Sequence, residues 1–312
     1  MAGNQIEIVN LRKEYKGFVA VNDLNLSVKK NSFTGLLGPN GAGKSTTLKI
    51  LTHLINATSG NAYINGIDVT TNPKDALDGV GTVVETPEFY SYLTPNQTFQ
   101  YIGAIFGMTK ESISAETDGI LRDVNMSQWA DKKIGTFSKG MKQRVALGLA
   151  LLNHPNTIIL DEPTSGLDPR GMAEIREILK TVRTKNDLTI LTSSHMLHEV
   201  GDMCDRIALI NHGTMIREGD LNDILGANNR RTITIKVLGE VGENVISKLS
   251  AISNVHDVRA FNGNGIKLAF EGNDEDQYQL LSEISGMGLK VYSFNEEDAL
   301  ESVYLNMIKE SR

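Results

Sequence analysis

The 312-residue sequence predicts an α/β domain built on a parallel sheet, followed by a smaller α+β domain. Short apolar segments alternate with helical patterns through the first part of the chain, as they do in βαβ units. The segment Ile158 to Leu160 is apolar throughout and follows Pro155, which is typical of a strand buried on both faces of a parallel sheet. At roughly 100–200 residues per domain, the length fits two domains.

The first domain is expected over residues 1–226. Apolar runs predict its strands, apolar residues at helical spacing predict its helices, and Asn65-Gly66 and Gly213 predict hairpin turns. In chain order the predicted elements are strands at 5–9, 24–28 and 33–37, a helix from Thr46 to Leu51, a hairpin over 62–69, a strand at 80–84, helices at 96–106, 111–125 and 138–152, a strand at 157–160, a helix at 171–185, a strand at 188–192 and a hairpin of 207–211 with 214–216.

A polar stretch of small residues at 226–229 predicts a linker, and a second domain is expected over 230–312. Its predicted elements are strands at 232–237, 255–261, 266–270 and 289–294, with helices at 241–250 and 274–286. This βαββαβ order is that of a ferredoxin-like unit. A final helix, capped by Asn295, is predicted from an apolar stripe at helical spacing, formed by Leu300, Val303, Tyr304, Met307 and Ile308.

Composition excludes several classes of function. The chain has 31 Lys and Arg against 38 Asp and Glu, a formal net charge of −7, which argues against a nucleic-acid-binding domain. The single cysteine, Cys204, excludes an intrachain disulfide and fits a reducing compartment. We expect no signal peptide, and no segment approaches the ~18 consecutive apolar residues of a membrane span. A role at a membrane would therefore require a partner.

A glycine-rich loop carries the first chemical signal. The segment Gly38-Pro39-Asn40-Gly41-Ala42-Gly43-Lys44-Ser45 fits G-x-x-x-x-G-K-[ST], after a predicted strand and before the helix that opens with Thr46. Glycines let backbone N–H groups converge on phosphate oxygens, and the helix N-terminus adds a partial positive charge. Lys44 would reach the outer phosphates, and the Ser45 hydroxyl would be a ligand of Mg²⁺. The spacing excludes a dinucleotide-binding G-x-G-x-x-G loop.

Two carboxylates end the predicted strand at 157–160. Ligand sites of α/β sheets lie at the carboxyl ends of the strands, where Asp161 would hold Mg²⁺ through its water shell. Glu162, one residue further, would orient and deprotonate an attacking water molecule. A pair of helix-capping acids is the alternative interpretation, and the phosphate loop weighs against it.

Between these motifs, Phe137-Ser138-Lys139-Gly140-Met141-Lys142-Gln143-Arg144 resembles the signature motif of ABC-type ATPases. The usual family form is Leu-Ser-Gly-Gly-Gln, so Ser138 and Gly140 match, whereas Phe137, Lys139 and Met141 depart from it. Such variants are similar to bacterial and archaeal exporter ATPases. The resemblance implies that Ser138 and Gly140 contact the phosphate of an ATP molecule held by the phosphate loop of a second copy.

Further positions match the family in order. Ser165-Gly166-Leu167-Asp168 resembles the loop that crosses the dimer interface, and the resemblance assigns Asp168 to it. His195 matches the switch histidine that contacts the γ-phosphate, and Tyr15 matches the aromatic residue that stacks on adenine. For His195 the alternative is a surface or structurally satisfied histidine, and for Tyr15 it is an ordinary strand tyrosine.

One position departs from the family pattern. Where the family usually has a glutamine that contacts Mg²⁺ and the membrane partner, this chain has Glu85. Glutamate also occurs there in exporters resembling those for bacitracin-type antibiotics and lantibiotics, and it can be a Mg²⁺ ligand but cannot donate a hydrogen bond when ionised. The aromatic-rich region that follows corresponds to the family's contact with the membrane subunit, although core packing explains part of it; its aromatic residues are Phe89, Tyr90, Tyr92, Phe99, Tyr101 and Phe106.

The resemblance covers residues 5–226 and implies a phosphate-loop α/β core, an antiparallel β subdomain and a helical subdomain near 90–152. It implies an ATP-hydrolysing subunit that sandwiches two ATP molecules with a second copy, requires Mg²⁺ and powers export through a separate membrane permease at the inner face of the cell membrane. An importer ATPase, a soluble ABC protein outside transport and a non-catalytic module are the alternatives. The presence of a single phosphate loop weighs against the second of these, and the intact Lys44, Asp161, Glu162 and His195 weigh against the third.

Overall fold

The computed structural model describes residues 3–226 and 230–296. The chain divides into two compact units, residues 1–220 and 221–312, each of which is described here by itself. The division falls after Asp220, a few residues before the predicted linker, and the two-domain assignment stays a prediction. Within the described ranges, no helix is both long enough and apolar enough to cross a membrane.

The first unit alternates strands and helices as predicted. Its strands are β1 (Asn4–Tyr15), β2 (Phe18–Lys29), β3 (Phe33–Leu37), β4 (Ser59–Ile64), β5 (Ile67–Asp68), β6 (Val80–Val83), β7 (Thr157–Asp161), β8 (Thr189–Ser194), β9 (Arg206–Asn211) and β10 (Thr214–Asp220). Its helices are α1 (Lys44–Leu51), α2 (Pro73–Ala76), α3 (Pro95–Ile105), α4 (Lys110–Asp123), α5 (Lys139–Leu151), α6 (Pro169–Asn186) and α7 (Leu197–Met203).

The central sheet has the strand order β10-β9-β3-β8-β7-β6. All neighbouring strands from β9 to β6 are parallel, and β10 pairs antiparallel with β9 at one edge. This confirms the parallel sheet predicted from the apolar runs. Because parallel strands end at the same edge, the phosphate loop after β3 lies beside Asp161, which ends β7, and Ser194, which ends β8.

A second, antiparallel sheet has the order β2-β1-β4-β5, which confirms the predicted β subdomain. Strands β1 and β2 are longer than the predicted segments 5–9 and 24–28: polar residues continue β1 on its solvent-facing side, whereas β2 begins earlier with the apolar run 18–21, whose Ala20 and Val21 are buried. The two strands meet in a turn at Lys16-Gly17, both with positive φ, as a type I′ hairpin requires. Apolar side chains of this sheet share one buried core with α1 and the central sheet, which fixes the helix that begins in the phosphate loop.

The helices of the first unit begin and end close to the predicted residues. Helix α3 begins with a capping box in which Thr94 and Gln97 bond each other's backbone N–H. Short helices α2 and α7 were not predicted, since four and seven residues carry too little periodicity to be recognised.

The second unit has the predicted βαββαβ order. Its elements are α8 (Leu221–Gly226), β11 (Arg230–Val237), α9 (Glu243–Ser250), β12 (Val255–Phe261), β13 (Gly265–Glu271), α10 (Asp274–Gly286) and β14 (Val291–Glu296). The four strands form an antiparallel sheet of order β12-β13-β11-β14. Apolar residues of α9 and α10, among them Leu249 and Ile284, pack on this sheet. Asn295 lies in β14 opposite Thr234, and the final helix predicted beyond it lies outside the described residues.

Candidate functional site

The phosphate loop has a conformation that its glycines make possible. It leaves β3 at Leu37 and enters α1 at Lys44. Gly43 has φ +100°, and a Cβ at this residue would lie 2.5 Å from the backbone oxygen of Ala20. A Cβ at Gly38 would lie 2.4 Å from the backbone oxygen of Ile210. A side chain at either position would therefore force the loop away from the strands that support it.

Lys44 lies inside this loop, with 5% of its surface exposed. Its Nζ donates hydrogen bonds to the backbone oxygens of Gly38, at 2.8 Å, and Pro39, at 3.1 Å. The Oε1 atom of Glu162 lies 3.5 Å from the same Nζ. A buried ammonium requires such partners, and an incoming phosphate group would offer it stronger acceptors than the carbonyls do.

Asp161 ends β7 and accepts two hydroxyl hydrogen bonds at one oxygen. Ser45 Oγ donates to Asp161 Oδ1 at 3.1 Å, and Ser193 Oγ donates to the same atom at 2.5 Å. Ser45 follows Lys44 on α1, whereas Ser193 pairs in register with Asp161 across β7 and β8. The structure thus joins the loop serine to the strand carboxylate, as the motifs predict, and adds Ser193.

Sequence reasoning missed Ser193, a fully buried residue. Its hydroxyl also accepts a hydrogen bond from the backbone N–H of Glu162, at 2.9 Å. One side chain therefore holds both acidic residues of the strand end. The sequence did contain a signal, because two serines, Ser193 and Ser194, end an otherwise apolar strand. The hydrogen-bond partner of Ser193 could not be predicted, because it depends on which strand lies next to β8.

Glu162 and His195 meet at the same end of the sheet. Glu162 has φ +44°, an uncommon conformation for a residue with a side chain, and such conformations are concentrated at functional sites. Its Oε1 lies 3.1 Å from Nδ1 of His195, in addition to the contact with Lys44. A carboxylate beside an imidazole and an ammonium can hold a water molecule in a defined orientation and accept its proton.

Glu85 follows β6 with φ +75° and forms an ion pair with Lys49 of α1. The hydrogen bond to Glu85 is the main reason that the pKa of Lys49 lies above its ordinary value. Glu85 also lines a cavity of about 240 Å³ together with Ser45, Asp161 and Glu162. The structure thus brings all the residues predicted to hold Mg²⁺ to one cavity. In this structure the Glu85 carboxylate is paired with the Lys49 ammonium.

Two parts of the signature segment lie at different places: Ser138 and Gly140 line a cleft of their own, whereas Lys139 lines both that cleft and the cavity that contains Ser45 and Asp161. Ser138 caps α5, with its Oγ accepting from the N–H of Met141 at 3.3 Å, and Asp168 caps α6, with Oδ1 accepting from the N–H of Gly171 at 2.8 Å. Both caps and Gly140 line a cleft of about 350 Å³. A separate cleft, the phosphate-loop cleft, is lined by Phe18, Ala20, residues 40–46 and Glu162. Among the described residues, the two clefts share no lining residue.

The predicted adenine contact, Tyr15, ends β1 with 43% of its surface exposed, and the Nζ of Lys13 lies 4.9 Å from its ring centre. Tyr15 does not line the phosphate-loop cleft itself. Its cross-strand partner Phe18, 63% exposed, does so together with the loop residues 40–46. Phe18 was missed because only the hairpin register places it opposite Tyr15.

An apolar groove of about 560 Å³ lies beside Glu85, lined in part by Leu54, Pro87, Phe89 and Phe106. The predicted aromatic region divides in two: Phe99 is fully buried, whereas other members are exposed. The exposed members are Tyr90, Tyr92, Tyr101 and Phe106. The ring of Tyr90 lies 5.7 Å from that of Tyr92 and 6.3 Å from that of Tyr101, so these three exposed tyrosines form one cluster.

Comparison with known proteins agrees with this geometry. Residues 21–165 match the family model described as ABC transporter. The chain is 31% identical over 303 residues to the bacitracin transport ATP-binding protein BcrA of Bacillus licheniformis, which covers 97% of both chains. It is 31% identical over 306 residues to the linearmycin resistance ATP-binding protein LnrL of Bacillus subtilis (strain 168), again with 97% of both chains covered.

Solved structures give the same result. The first unit's fold is similar to that of an ATP-binding subunit of an ABC transporter, with a TM-score of 0.64 and 29% identity over 72% of this chain and 92% of the other. The ATP-binding cassette MJ0796, solved as a dimer in a post-hydrolysis state bound to ADP and Pi, has a TM-score of 0.62 and 28% identity over 69% of this chain and 98% of its own. This chain belongs to the ABC transporter family, as an ATP-binding subunit with ATPase activity.

Proposed function

We propose that this chain powers export through a separate membrane permease, by ATP hydrolysis in a dimer of two copies. The observation that carries the proposal is the meeting of Lys44, Asp161, Glu162 and His195 at the carboxyl edge of the sheet. The names of its relatives, which refer to bacitracin transport and linearmycin resistance, support export as the direction.

In this mechanism the loop Gly38–Ser45 binds the phosphates with its backbone N–H groups, and Lys44 exchanges its two carbonyl partners for outer phosphate oxygens. Thr46, which lines the same cleft, extends the polar wall around the phosphates. The exposed ring of Tyr15 stacks on the adenine, with Phe18 bounding the cleft on that side.

The donor set fits Mg²⁺. Ser45 and Asp161 are already in contact, Glu85 lines the same cavity, and all three offer the oxygen atoms that this ion prefers. Mg²⁺ commonly uses one or two carboxylates together with phosphate oxygens and water. When bound, the ion would neutralise charge on the phosphates.

Glu162 is the proposed general base for the attacking water. His195, whose Nδ1 contacts the Glu162 carboxylate, restricts the orientation of that carboxylate and would contact the γ-phosphate of a bound ATP. Glu162→Gln should keep nucleotide binding but lower kcat by about 10²–10⁴-fold, because proton transfer is lost. ATPase assays and gel filtration with ATP test this: an ATP-bound dimer should accumulate, and a wild-type rate would refute the assignment.

Ser138 and Gly140 do not line the cleft formed by phosphate-loop residues 40–46, and this supports a head-to-tail dimer in which a second copy supplies them. In such a dimer Ser138 and Gly140 of one copy contact the ATP bound to the phosphate loop of the other, and Asp168 lies at the interface. Mixing Lys44→Ala chains with Ser138→Arg chains should yield dimers with one intact site and restore part of the ATPase activity. Activity no higher than that of the two separate variants would contradict the arrangement.

The permease contact is proposed at the apolar groove beside Glu85. Exposed apolar residues that line a groove, such as Phe106, favour an interaction site, and the groove shares Glu85 and Pro87 with the nucleotide-side cavity. A helix of the permease inserted there would place the chain on the inner face of the cell membrane. Phe106→Asp should reduce co-purification with membranes that contain the permease while leaving the ATPase activity of the isolated chain unchanged.

The second domain, expected over 230–312, is proposed to assist dimerisation or regulation without binding nucleotide. Its own apolar core and antiparallel sheet support independent folding. Truncation after Leu225 should leave a chain that binds ATP, with altered dimerisation or permease coupling. Loss of ATP binding by a folded truncated chain would refute the two-domain assignment.

A further inference from the structure

Glu85 occupies a position that links two cavities. It lines the polar cavity with Ser45 and Asp161, and it also lines the apolar groove. Its backbone has φ +75°, an uncommon conformation for a residue other than glycine, which the surrounding structure must maintain.

The partner of this carboxylate is Lys49. Lys49 lies on α1, the helix that begins with Lys44 and Ser45, so that the phosphate loop and the lysine belong to one rigid element. The Lys49 side chain is 30% exposed and that of Glu85 is 61% exposed, so the pair is accessible to solvent and can separate at low cost.

Each carboxylate of the cavity has its own donor. Hydroxyl groups of Ser45 and Ser193 donate to Asp161, and Glu162 contacts Lys44 and His195. Lys49 does the same for Glu85. The proposed function assigns three of these donors, Lys44, Ser45 and His195, to the nucleotide and its metal ion. Ser193 is fully buried. Among these donors, Lys49 therefore remains without an assigned role.

We propose that Lys49 is the counterion that occupies the Glu85 carboxylate in the absence of the metal ion, and that Glu85 must release Lys49 before it can become a ligand of Mg²⁺. This inference rests on the proposed function, in which ATP binds with Mg²⁺ at this cavity. Lys49 is then a positioning residue that sets how strongly Mg²⁺ tightens nucleotide binding.

The physical basis is competition for one carboxylate. Without the metal ion, the Lys49 ammonium screens Glu85 from the phosphate charges of ATP. With the metal ion, the same ammonium competes for the carboxylate oxygens. Removing the ammonium therefore weakens metal-free binding and strengthens metal-bound binding, and both effects raise the ratio of the two dissociation constants.

The test measures that ratio for the full chain. Binding of a fluorescent, non-hydrolysable ATP analogue is titrated in EDTA and in excess Mg²⁺, and the Kd in EDTA is divided by the Kd in Mg²⁺. An accessible ion pair is worth about 0.4–1 kcal/mol, so Lys49→Met should raise the ratio about two- to fivefold. Lys49→Arg keeps the charge and should leave the ratio within about 1.5-fold of wild type.

Two controls isolate the pair. Lys185→Met removes a lysine that pairs with Asp123 at 2.6 Å elsewhere in the same unit, and it should not change the ratio. In a Glu85→Gln background, Lys49→Met should also have no effect, because the shared carboxylate is gone.

The inference is overturned if Lys49→Met leaves the ratio unchanged or lowers it, or if the rise persists in the Glu85→Gln background. Failure of the proposed function gives a different result, because the wild-type chain would then not bind the analogue in either solution. Circular dichroism of each variant confirms that it is folded before its Kd values are compared.

Discussion

Ser193→Ala should lower both the free energy of unfolding and the rate of ATP hydrolysis, because one hydroxyl group forms hydrogen bonds with two acidic residues. In the structure this hydroxyl donates to Asp161 Oδ1 at 2.5 Å and accepts from the N–H of Glu162 at 2.9 Å. The variant removes a hydrogen bond to a charged group and leaves a partly buried N–H without its partner. Since Ser45 still donates to Asp161, only one of the two hydroxyl bonds to that carboxylate is lost.

The magnitude follows from those two losses. A hydrogen bond to a charged group contributes about 1.5–3 kcal/mol, and the unpaired N–H adds about 1 kcal/mol, so the loss in free energy of unfolding should be about 2.5–4 kcal/mol. For a unit of this size, each kcal/mol lowers Tm by roughly 2–4 °C, which predicts a fall of about 5–16 °C. Because Glu162 is no longer held at its backbone, kcat should fall by about 10–100-fold.

Thermal unfolding and steady-state ATPase assays measure these effects. Nucleotide affinity should stay within about threefold, since the phosphate loop keeps its contacts. Thr192→Val is the matched control, because the Thr192 hydroxyl is buried in the same strand and, among the described residues, its one hydrogen bond goes to the backbone oxygen of Ser193, at 3.4 Å. A kcat within twofold of wild type for folded Ser193→Ala, or an equal loss in Thr192→Val, would refute the reasoning.

Three further predictions concern other parts of the first unit. Gly81→Ala should lower the free energy of unfolding by about 1–3 kcal/mol, measured by thermal unfolding, because its Cβ would lie 2.1 Å from the backbone oxygen of Ala150, and an unchanged Tm would contradict this. Burial raises the pKa of the Cys204 thiol, so it stays protonated as pH rises to about 9 and should resist a thiol reagent until the chain unfolds; immediate labelling of the native chain would argue otherwise. Lys44→Ala should raise the Kd for ATP at least about tenfold in a binding titration, since the ammonium inside the loop is lost, and an unchanged Kd would exclude its phosphate contact.

Local patterns were sufficient for the fold class and for the motifs. The apolar run at β7 and the glycine pattern at 38–45 depend on the residues within each segment, so their periodicity and spacing can be interpreted without knowing the neighbours. The βαββαβ order of the second unit was predicted for the same reason. Strand ends were less accurate, as in β1, because polar residues that face solvent continue a strand without an apolar signal.

Several contacts of the site were decided only by tertiary structure. Ser193 reaches Asp161 because β8 lies next to β7 in one register, and Phe18 faces the phosphate-loop cleft because the hairpin pairs it with Tyr15. Glu85 forms an ion pair with Lys49 because the fold brings the end of β6 close to helix α1. The sequence by itself determined the fold class and the motifs from which the phosphate-binding and proton-transferring residues are predicted. Which side chains share an oxygen atom depends on strand order and register, since these bring together residues that are far apart in the chain.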